Sequence, residues 1–483
     1  MSEHLSLKQP KVFKLALLTS LFERFSFYIL AFVFVLYVKE VFFFTDTQAF
    51  TLFGVFTALA YIMPAMGGYL ADHQIGIRRC IIIGLFLEGL GLLLLSIPNA
   101  HLFAVSLALI VLGVGFFKTA PTDLMARSYK KHDPRIDGGF TLFYMGMNIG
   151  GFFAPLAGGV IQKYFGWEAT FFVGAVSIAI SLVLYFLLRH TAKDFDAKAG
   201  MVKLATKKKI FLIIGIIVSG AICVFLVSHS VIADIFFFIT TVLIFVYFGY
   251  EIYKSPRDEK FKIITCLVLI IMGLMFFVLY FQAFTSVNLF IDRVVDRNVF
   301  GFIIPTPAFL ALDPLWIIIL SPLLALLYKY IAKKRGADLA ITTKFPLGLF
   351  IISLCFFCLV LSGFFADAAG KISSWWMVLV FFLFALGELL IAALGAAMIT
   401  RIAPPRLYGI MMGAWFLIAS GLAASLSGVT ASIASIPDGV HDMATILHIY
   451  SSAFLKMGAI GIVATIFCFA VAPYLKRIAK LQG

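Results

Sequence analysis

The chain has 483 residues, of which 62% are hydrophobic and only 13% are charged. A soluble globular domain carries about 25% charged residues, so this composition excludes a soluble protein. Unbroken apolar runs such as residues 80–97 exclude the alternating strands of a membrane barrel, and the chain is predicted to be an all-α integral membrane protein.

Apolar runs of bilayer length predict about fourteen transmembrane helices. In chain order they cover residues 15–38, 47–70, 80–97, 102–125, 140–162, 168–188, 211–228, 232–250, 263–290, 314–330, 346–366, 375–399, 407–434 and 452–474. The polar residues 1–14 precede a long apolar run that contains Glu23 and Arg24, so we expect the first helix to act as its own insertion signal rather than a cleaved signal peptide.

The net charge of +14 is explained by the placement of Lys and Arg between these helices. The tails and alternate loops hold 30 of the 38 basic residues, and the other loops hold 5. Basic residues concentrate in cytoplasmic loops, so both termini are predicted to be cytoplasmic and no nucleic-acid partner is needed to explain the charge.

The order of helices predicts two bundles of six, separated by an insert of two. The predicted domains are an N-terminal six-helix bundle (1–190), a cytoplasmic linker with a two-helix insert (191–260) and a C-terminal six-helix bundle (261–483). A plan of six plus six helices is that of transporters built from two similar halves.

Ionisable residues inside the predicted helices are the first candidates for function, because a charge in the membrane is costly. They are Glu23, Arg24, Glu88, Lys118 and Glu388, with Asp313 at a helix start and Lys456 near a helix end. The alternative reading of Glu23 and Arg24 is an ion pair that only holds helices together.

Lys118 needs a carboxylate partner, and Glu23 is the first choice. Glu388 lies in the opposite half, so one half would offer cations and the other an anion, which suits a zwitterionic substrate. Glu88 is interpreted as a helix-packing carboxylate and Lys456 as a Lys that reaches the membrane interface, and both are left outside the site.

No cofactor, metal or enzyme chemistry is expected. All eight histidines fall in loops or near the ends of predicted helices, which disfavours a metal site inside the membrane. No nucleophile or phosphate-loop motif is present, and an enzyme is the weakest interpretation. Transport would draw on an ion gradient or run downhill.

Several motifs resemble those of one transporter family. Residues 67–79, GGYLADHQIGIRR, resemble the loop between the second and third helices of the major facilitator superfamily. Residues 22–28 (FERFSFY) and 133–150 (DPRIDGGFTLFYMGMNIG) are similar to signatures of the proton-dependent oligopeptide transporter family. Later matches are residues 288–297 (NLFIDRVVDR), 387–389 (GEL) and 411–417 (MMGAWFL).

This resemblance implies a major facilitator fold and a set of site residues. Arg24 and Lys118 would receive the carboxylate of a peptide, and Glu388 its amino terminus. Glu23 would carry a proton, and Lys118 would take part in the coupling. The residues implied to line the pocket are Tyr28, Tyr61, Asn148 and Trp415.

The chain also departs from the family pattern. Ser20 replaces the first Glu of E-x-x-E-R, and Phe281 replaces the acid of the seventh core helix. Conversely, Asp313-Pro314 stands where many members have Asn-Pro. Asp313 is therefore a candidate for the proton role lost at Phe281, or for binding a cationic group of the substrate.

The leading hypothesis is a secondary active transporter in a bacterial inner membrane that couples uptake of di- and tripeptides to protons by alternating access. The alternative is the same fold moving another small solute, such as an amino-acid derivative or a cationic or peptide-like metabolite, with altered or no proton coupling. A membrane sensor or scaffold is a third possibility. The expected partners are the small-molecule substrate, protons and the lipid bilayer, and one chain is expected to function as a monomer.

Overall fold

The computed structural model describes residues 8–130, 133, 135–202, 205–335 and 341–480. Almost every described residue is helical, because a backbone in lipid satisfies its hydrogen bonds only within helices or closed barrels. The prediction of an all-α membrane protein is confirmed. Pro134, within the predicted signature 133–150, lies outside the described residues.

The chain forms two compact units. The first comprises the described residues of Met1–Ala31 together with Ile62–Ser228, and the second comprises Phe32–Tyr61 together with those of His229–Gly483. The boundary thus falls within the first two helices and between the two helices of the insert. The domain limits at residues 190 and 260 stay predictions.

The described residues of the N-terminal part of the chain form eight helices, α1–α8. Their bounds are α1 Lys11–Phe42, α2 Asp46–Leu70, α3 Ile77–Leu95, α4 Ala100–Phe117, α5 Ala120–Arg127, α6 Ile136–Leu188, α7 Lys198–Met201 and α8 Thr206–Ser228. A π-helical turn, Ala71–Ile75, continues α2, and a 3-10 helix, Arg189–Phe195, follows α6.

In the C-terminal part, the residues that the structure describes form ten helices, α9–α18. Their bounds are α9 Ser230–Lys254, α10 Arg257–Tyr280, α11 Ser286–Val294, α12 Thr306–Phe309, α13 Leu312–Arg335, α14 Ile341–Gly363, α15 Trp375–Ile402, α16 Tyr408–Ala414, α17 Ala423–Ala431 and α18 Met443–Lys480. Three 3-10 turns, Phe281–Phe284, Pro405–Leu407 and Ser432–Ala434, and a π-helical segment, Trp415–Leu422, connect some of them.

Four two-residue strands lie in the loops of the second unit. β1 (Val295–Asp296) pairs in parallel with β4 (Ile372–Ser373), in the register Val295 to Ile372. β2 (Asn298–Val299) and β3 (Phe302–Ile303) form an antiparallel hairpin. These short strands connect loops at the ends of helices, and they do not form a sheet with a core of its own.

Twelve helical stretches in the described part are long and apolar enough to cross a membrane. One of them, Gly138–Phe195, has 58 residues and is divided by Gly166, whose φ of 86° is not helical. α3, with 19 residues, is not among the twelve. Each of the fourteen predicted spans nevertheless overlaps helical structure.

Two predicted spans are less continuous than expected. The span 102–125 is interrupted at Lys118 and Thr119, because Pro121 has no backbone N–H and favours the first turn of a new helix. The span 263–290 tightens into a 3-10 turn at Phe281–Phe284. There Ser286 donates a hydrogen bond to the Gln282 side chain at 2.7 Å, and such local bonds compete with regular helix.

Candidate functional site

Glu23 and Arg24 form a buried ion pair on α1. Arg24 Nε donates to Glu23 Oε2 at 2.6 Å, and Arg24 Nη2 donates to Glu23 Oε1. Glu23 is 0% exposed and Arg24 is 7% exposed. Such a two-bond geometry neutralises both charges, which allows the pair to stand in an apolar helix.

Aromatic rings cover the guanidinium of this pair. The Arg24 guanidinium carbon lies 5.0 Å from the ring centre of Phe27 and 5.9 Å from that of Tyr28. These distances allow cation–π attraction, which favours a cation held away from water. Tyr28, expected to line the pocket, is half-buried in the turn that follows Arg24.

Lys118 lies at the interruption between α4 and α5, where its backbone N–H still bonds to the Val114 carbonyl at 2.9 Å. The backbones of α2 and α4 touch nearby, because a Cβ built on Gly67 would lie 2.0 Å from the Gly115 carbonyl oxygen. The Lys118 side chain interacts electrostatically with both Glu23 and Arg24. Its expected partner, Glu23, is thus within electrostatic reach but bonds directly to Arg24.

Glu88, left outside the site by the sequence analysis, lies within this cluster. It is 0% exposed on α3 and interacts electrostatically with Glu23 and Arg24. We call Glu23, Arg24, Lys118 and Glu88 the mixed-charge cluster. A lone acid in an apolar helix was the signal for Glu88, but the sequence does not show which helix it faces.

Asn148 lies on α6 in the first unit. Its side-chain amide donates to the Tyr144 carbonyl at 2.9 Å, and its residue is half-buried. α6 approaches α1 closely here, because a Cβ on Gly150 would lie 2.5 Å from the Leu21 carbonyl oxygen. The expected contact of Asn148 with a substrate stays a prediction.

The second unit contains a cluster of acids around one tyrosine. The Tyr280 hydroxyl donates to Asp313 Oδ2 at 3.2 Å and also interacts with the Glu388 side chain. Asp313 is 8% exposed and interacts electrostatically with Glu388. We call Tyr280, Asp313 and Glu388 the acid cluster; Tyr280 was not predicted.

The acid cluster is arranged to hold a proton. A tyrosine hydroxyl has a single proton to donate, and here it is donated to Asp313. In addition, Asp313 Oδ1 and Glu388 Oε2 are buried without a hydrogen-bond partner in the described structure. Two acids in such surroundings are not both ionised without a large cost.

Tyr61 and Trp415 are packed against aromatic and glycine surfaces of the second unit. The ring centres of Tyr61 and Phe281 are 5.7 Å apart in an edge-to-face arrangement. Trp415 begins the π-helical segment and is 3% exposed. A Cβ on Gly395 would lie 2.1 Å from the Trp415 ring, so the absence of a side chain at Gly395 leaves room for the indole between α10 and α15.

The two clusters differ in composition. The mixed-charge cluster brings two cations together with two acids, and the acid cluster contains no cation among its named members. Within the described residues, no three His, Cys, Asp or Glu side chains meet as a metal site. Reversible ion pairing and proton binding are therefore the chemistry that these side chains offer.

Known proteins match the chain over nearly its whole length. It is 33% identical over 480 residues to the dipeptide and tripeptide permease B of Salmonella typhimurium, covering 99% of this chain and 98% of the relative. It is 35% identical over 476 residues to the dipeptide and tripeptide permease A of Cronobacter turicensis, covering 98% and 94% respectively.

Solved structures agree with these relatives. The crystal structure of tetrameric PepTSo2 superposes with a TM-score of 0.87 at 30% identity, covering 97% of this chain and 99% of the other. A structure that addresses substrate recognition in proton-dependent oligopeptide transporters gives a TM-score of 0.84 at 31% identity, with the same coverage.

The profile of the POT family matches residues 78–447. This match covers most of the chain, including Lys118, Asn148, Asp313, Glu388 and Trp415. Together with relatives above 30% identity across the full length, it establishes that the chain is a member of the POT family.

Proposed function

We propose that this chain is a secondary active transporter that takes up di- and tripeptides together with protons by alternating access. The named relatives are dipeptide and tripeptide permeases, and the structural neighbours include proton-dependent oligopeptide transporters. The observation that carries the proposal for this chain is its pair of clusters of polar side chains within the membrane helices, one with two cations and one built from acids.

Peptide termini match the chemistry of these clusters. Every di- and tripeptide carries a carboxylate and an ammonium group, whatever its side chains. Arg24 and Lys118 bind the carboxylate, and Glu388 and Asp313 bind the amino terminus. Because the clusters bind charged groups that all such peptides share, and not their side chains, peptides of many sequences can be accommodated. Tyr28, Tyr61, Asn148 and Trp415 contact the rest of the substrate.

Protons enter through the same groups. Glu23 is held by Arg24, so a substrate carboxylate that pairs with Arg24 leaves Glu23 without its counter-charge. A proton on Glu23 then removes the cost of a buried anion. Asp313 carries the second proton function, supported by its hydrogen bond to Tyr280 and its interaction with Glu388.

The protein acts in the bacterial inner membrane, with both termini in the cytoplasm and one chain as the transporting unit. The placement of 30 of the 38 basic residues in the tails and alternate loops supports this orientation. Each chain contains both clusters, which supports a working monomer. Association of chains, as in tetrameric PepTSo2, is compatible with monomers that work independently.

The first test is uptake of a labelled neutral dipeptide into liposomes that contain the purified protein, with and without an inward proton gradient. We expect accumulation that requires the gradient. Glu388→Gln removes a charged partner of the peptide amino group and should weaken transport at least about tenfold, since a bond to a charged group contributes about 1.5–3 kcal/mol. Asp313→Asn should flatten the pH dependence.

Glu168→Gln is the matched control, because Glu168 is exposed on α6. It should transport as the original protein does. A dipeptide acetylated at its amino group should be a poor substrate of the original protein and lose little more in Glu388→Gln. Absence of uptake of neutral, cationic and anionic dipeptides by folded protein would reject peptide transport in favour of another solute. Unchanged pH dependence in Asp313→Asn would reject the proton role of Asp313.

A further inference from the structure

Glu88 lies at the centre of a tightly packed part of the first unit. A Cβ on Gly113 of α4 would lie 2.5 Å from the Glu88 backbone nitrogen, so α3 and α4 are in backbone contact at this level. On the next residue, a Cβ on Gly89 would lie 3.0 Å from the Ile178 side chain of α6. The Glu88 side chain is therefore enclosed by protein and is 0% exposed.

Both carboxylate oxygens of Glu88 are buried, and neither has a hydrogen-bond partner within the described residues. An ionised carboxylate in this condition loses its hydration and gains no bond in return, which costs several kcal/mol. A protonated carboxyl group avoids most of that cost. The geometry is therefore that of a neutral acid in this conformation.

The charges that act on Glu88 come from α1. Glu23 and Arg24 interact with it electrostatically, one repelling and one attracting its anion. Residues 102–117 of α4 and 169–184 of α6, the helices packed most extensively on α3, contain no titratable side chain. Lys118 of the mixed-charge cluster follows α4 directly, and Tyr185 of α6 donates to the Arg78 carbonyl at 3.2 Å. The shorter elements packed on α3 carry Asp72, His73, Asp123, Arg127 and Lys198, among which Arg127 pairs with both Asp72 and Asp123.

Arg24 links the protonation of Glu88 to the substrate. Glu23 occupies the guanidinium of Arg24 with two hydrogen bonds, so Arg24 is not available to balance an anion at Glu88. When Glu23 is protonated or its pair with Arg24 opens, the guanidinium becomes available to a second carboxylate. Glu88 and the carboxylate of a substrate then compete for the same cation.

We propose that Glu88 is a proton-binding site of the transport cycle, which holds a proton in this conformation and releases it when Arg24 becomes available to pair with it. On release the O–H bond breaks, its electron pair stays on the Glu88 carboxylate, and the proton passes to water. The proposal rests on the proton-coupled transport proposed above and assigns a carrier for the proton to α3.

The test compares proton-driven accumulation with exchange in liposomes. Glu88→Gln has the shape of the protonated acid and no proton to release. We expect it to exchange internal unlabelled for external labelled dipeptide at the original rate, and to lose accumulation driven by an inward proton gradient. Glu88→Asp, which retains a titratable group, should keep accumulation with a shifted pH profile.

Asp234→Asn is the control for a carboxylate in an apolar helix, because Asp234 has a partner: Ser425 Oγ donates to it at 2.5 Å. It should accumulate dipeptide normally. Gradient-driven accumulation by Glu88→Gln with the original pH profile would overturn the proposal. If the original protein itself accumulates no dipeptide, the proposed function fails, and the protonation of Glu88 is decided by the following measurement.

Infrared spectroscopy of the purified protein reports the protonated state without transport. We expect a carboxylic-acid C=O band that disappears in Glu88→Gln and shifts in Glu88→Asp, while Asp234→Asn leaves that band unchanged. If Glu88→Gln does not fold, the shift of the acid band in Glu88→Asp shows whether Glu88 is protonated. A spectrum in which neither variant changes an acid band means that Glu88 is ionised or unrelated to the cycle, and the proposal is wrong.

Discussion

Asp133 is an acid of the signature motif that lies outside the membrane. It accepts hydrogen bonds from Arg135 Nη2 at 2.8 Å, from Arg135 Nε at 3.0 Å and from the Arg135 backbone nitrogen at 2.9 Å. The side-chain bonds from Arg135 lower the pKa of Asp133 to about 2. Stabilisation from this contact is present above the ordinary pKa of about 3.9 and is lost as the pH falls towards about 2.

Asp133→Asn is therefore expected to leave the shape of the pH profile of dipeptide uptake unchanged between about pH 5 and about pH 8. In that range Asp133 stays ionised, so it neither takes up nor releases a proton during transport. The measurement is uptake into liposomes at a series of external pH values. A displaced acid limb in the variant would show that Asp133 takes part in proton coupling.

At the scale of single residues, the sequence identified the buried charges but not all of their neighbours. The cost of a charge in an apolar helix singled out Glu23, Arg24 and Glu388 without any contact information. Glu88 was set aside because one helix read alone does not show which side chains face it. Tyr280 was missed because a tyrosine near the end of an apolar run is common, and its link to Asp313 spans 33 residues.

At the scale of helices, the loop between α2 and α3 depends on a single glycine. Gly76 has a φ of 89°, in the left-handed region that favours glycine. A Cβ on Gly76 would lie 2.2 Å from the Gly200 Cα in α7. The Ile77 backbone nitrogen also donates to Asp196 at 2.7 Å. The loop between α2 and α3 is therefore held in place by residues of the chain segment that follows α6.

Gly76→Ala is expected to lower the thermal unfolding midpoint of the purified protein in detergent. A non-glycine residue held at such a φ costs about 1–3 kcal/mol, and the contact with backbone atoms of α7 adds to that cost. Gly215→Ala is the matched control, since a Cβ there would meet nothing within 4 Å and alanine favours a helix. Equal midpoints for the two variants would contradict the close approach of Gly76 and Gly200.

The helices themselves were predictable because apolar length alone dictates a membrane span. The interruptions within the helices were less predictable. Pro121 was a visible signal for the break after Lys118, whereas the 3-10 turn at Phe281–Phe284 depends on side-chain bonds of Gln282. The division of α6 at Gly166 coincides with the predicted gap between residues 162 and 168.

At the scale of the whole molecule, the sequence predicted two bundles of six helices with an insert of two between them, and the structure divides the described residues into two compact units. The structure places α8 with the first unit and α9 with the second, where Arg406 bonds to Glu251 at 2.5 Å and to Glu259 at 3.0 Å. It also places Phe32–Tyr61 with the second unit. These groupings depend on contacts between distant residues, which hydrophobic periodicity does not encode.

Asp46 fastens the start of α2 within the second unit. It is 3% exposed and accepts bonds from Arg293 Nη1 at 2.6 Å, Arg293 Nη2 at 2.7 Å and Lys39 Nζ at 2.5 Å. The Ile436 backbone nitrogen donates to the same carboxylate at 3.0 Å. One acid thereby connects α2 with the end of α1, with α11 and with the loop before α18.

Asp46→Asn is expected to destabilise the protein by about 1.5–3 kcal/mol, because an amide cannot neutralise Arg293 and Lys39 or accept all of these bonds. The readout is the thermal unfolding midpoint in detergent, with Asp123→Asn as control. Asp123 forms an exposed pair with Arg127 at 3.1 Å, which contributes about 0–1 kcal/mol. Similar midpoints for the two variants would show that Asp46 is not an anchor.

The contact between Asp46 and Ile436 also has a consequence for biosynthesis, because the two residues are 390 positions apart in the chain. At about 5–20 residues per second, a ribosome needs about 20–80 s to make that stretch. Once Leu70 has been made, the hairpin of α1 and α2 is complete, yet for the rest of this interval the loop that completes its anchor does not exist. Nascent chains halted before residue 436 should therefore carry a hairpin that a membrane chaperone or protease can still reach.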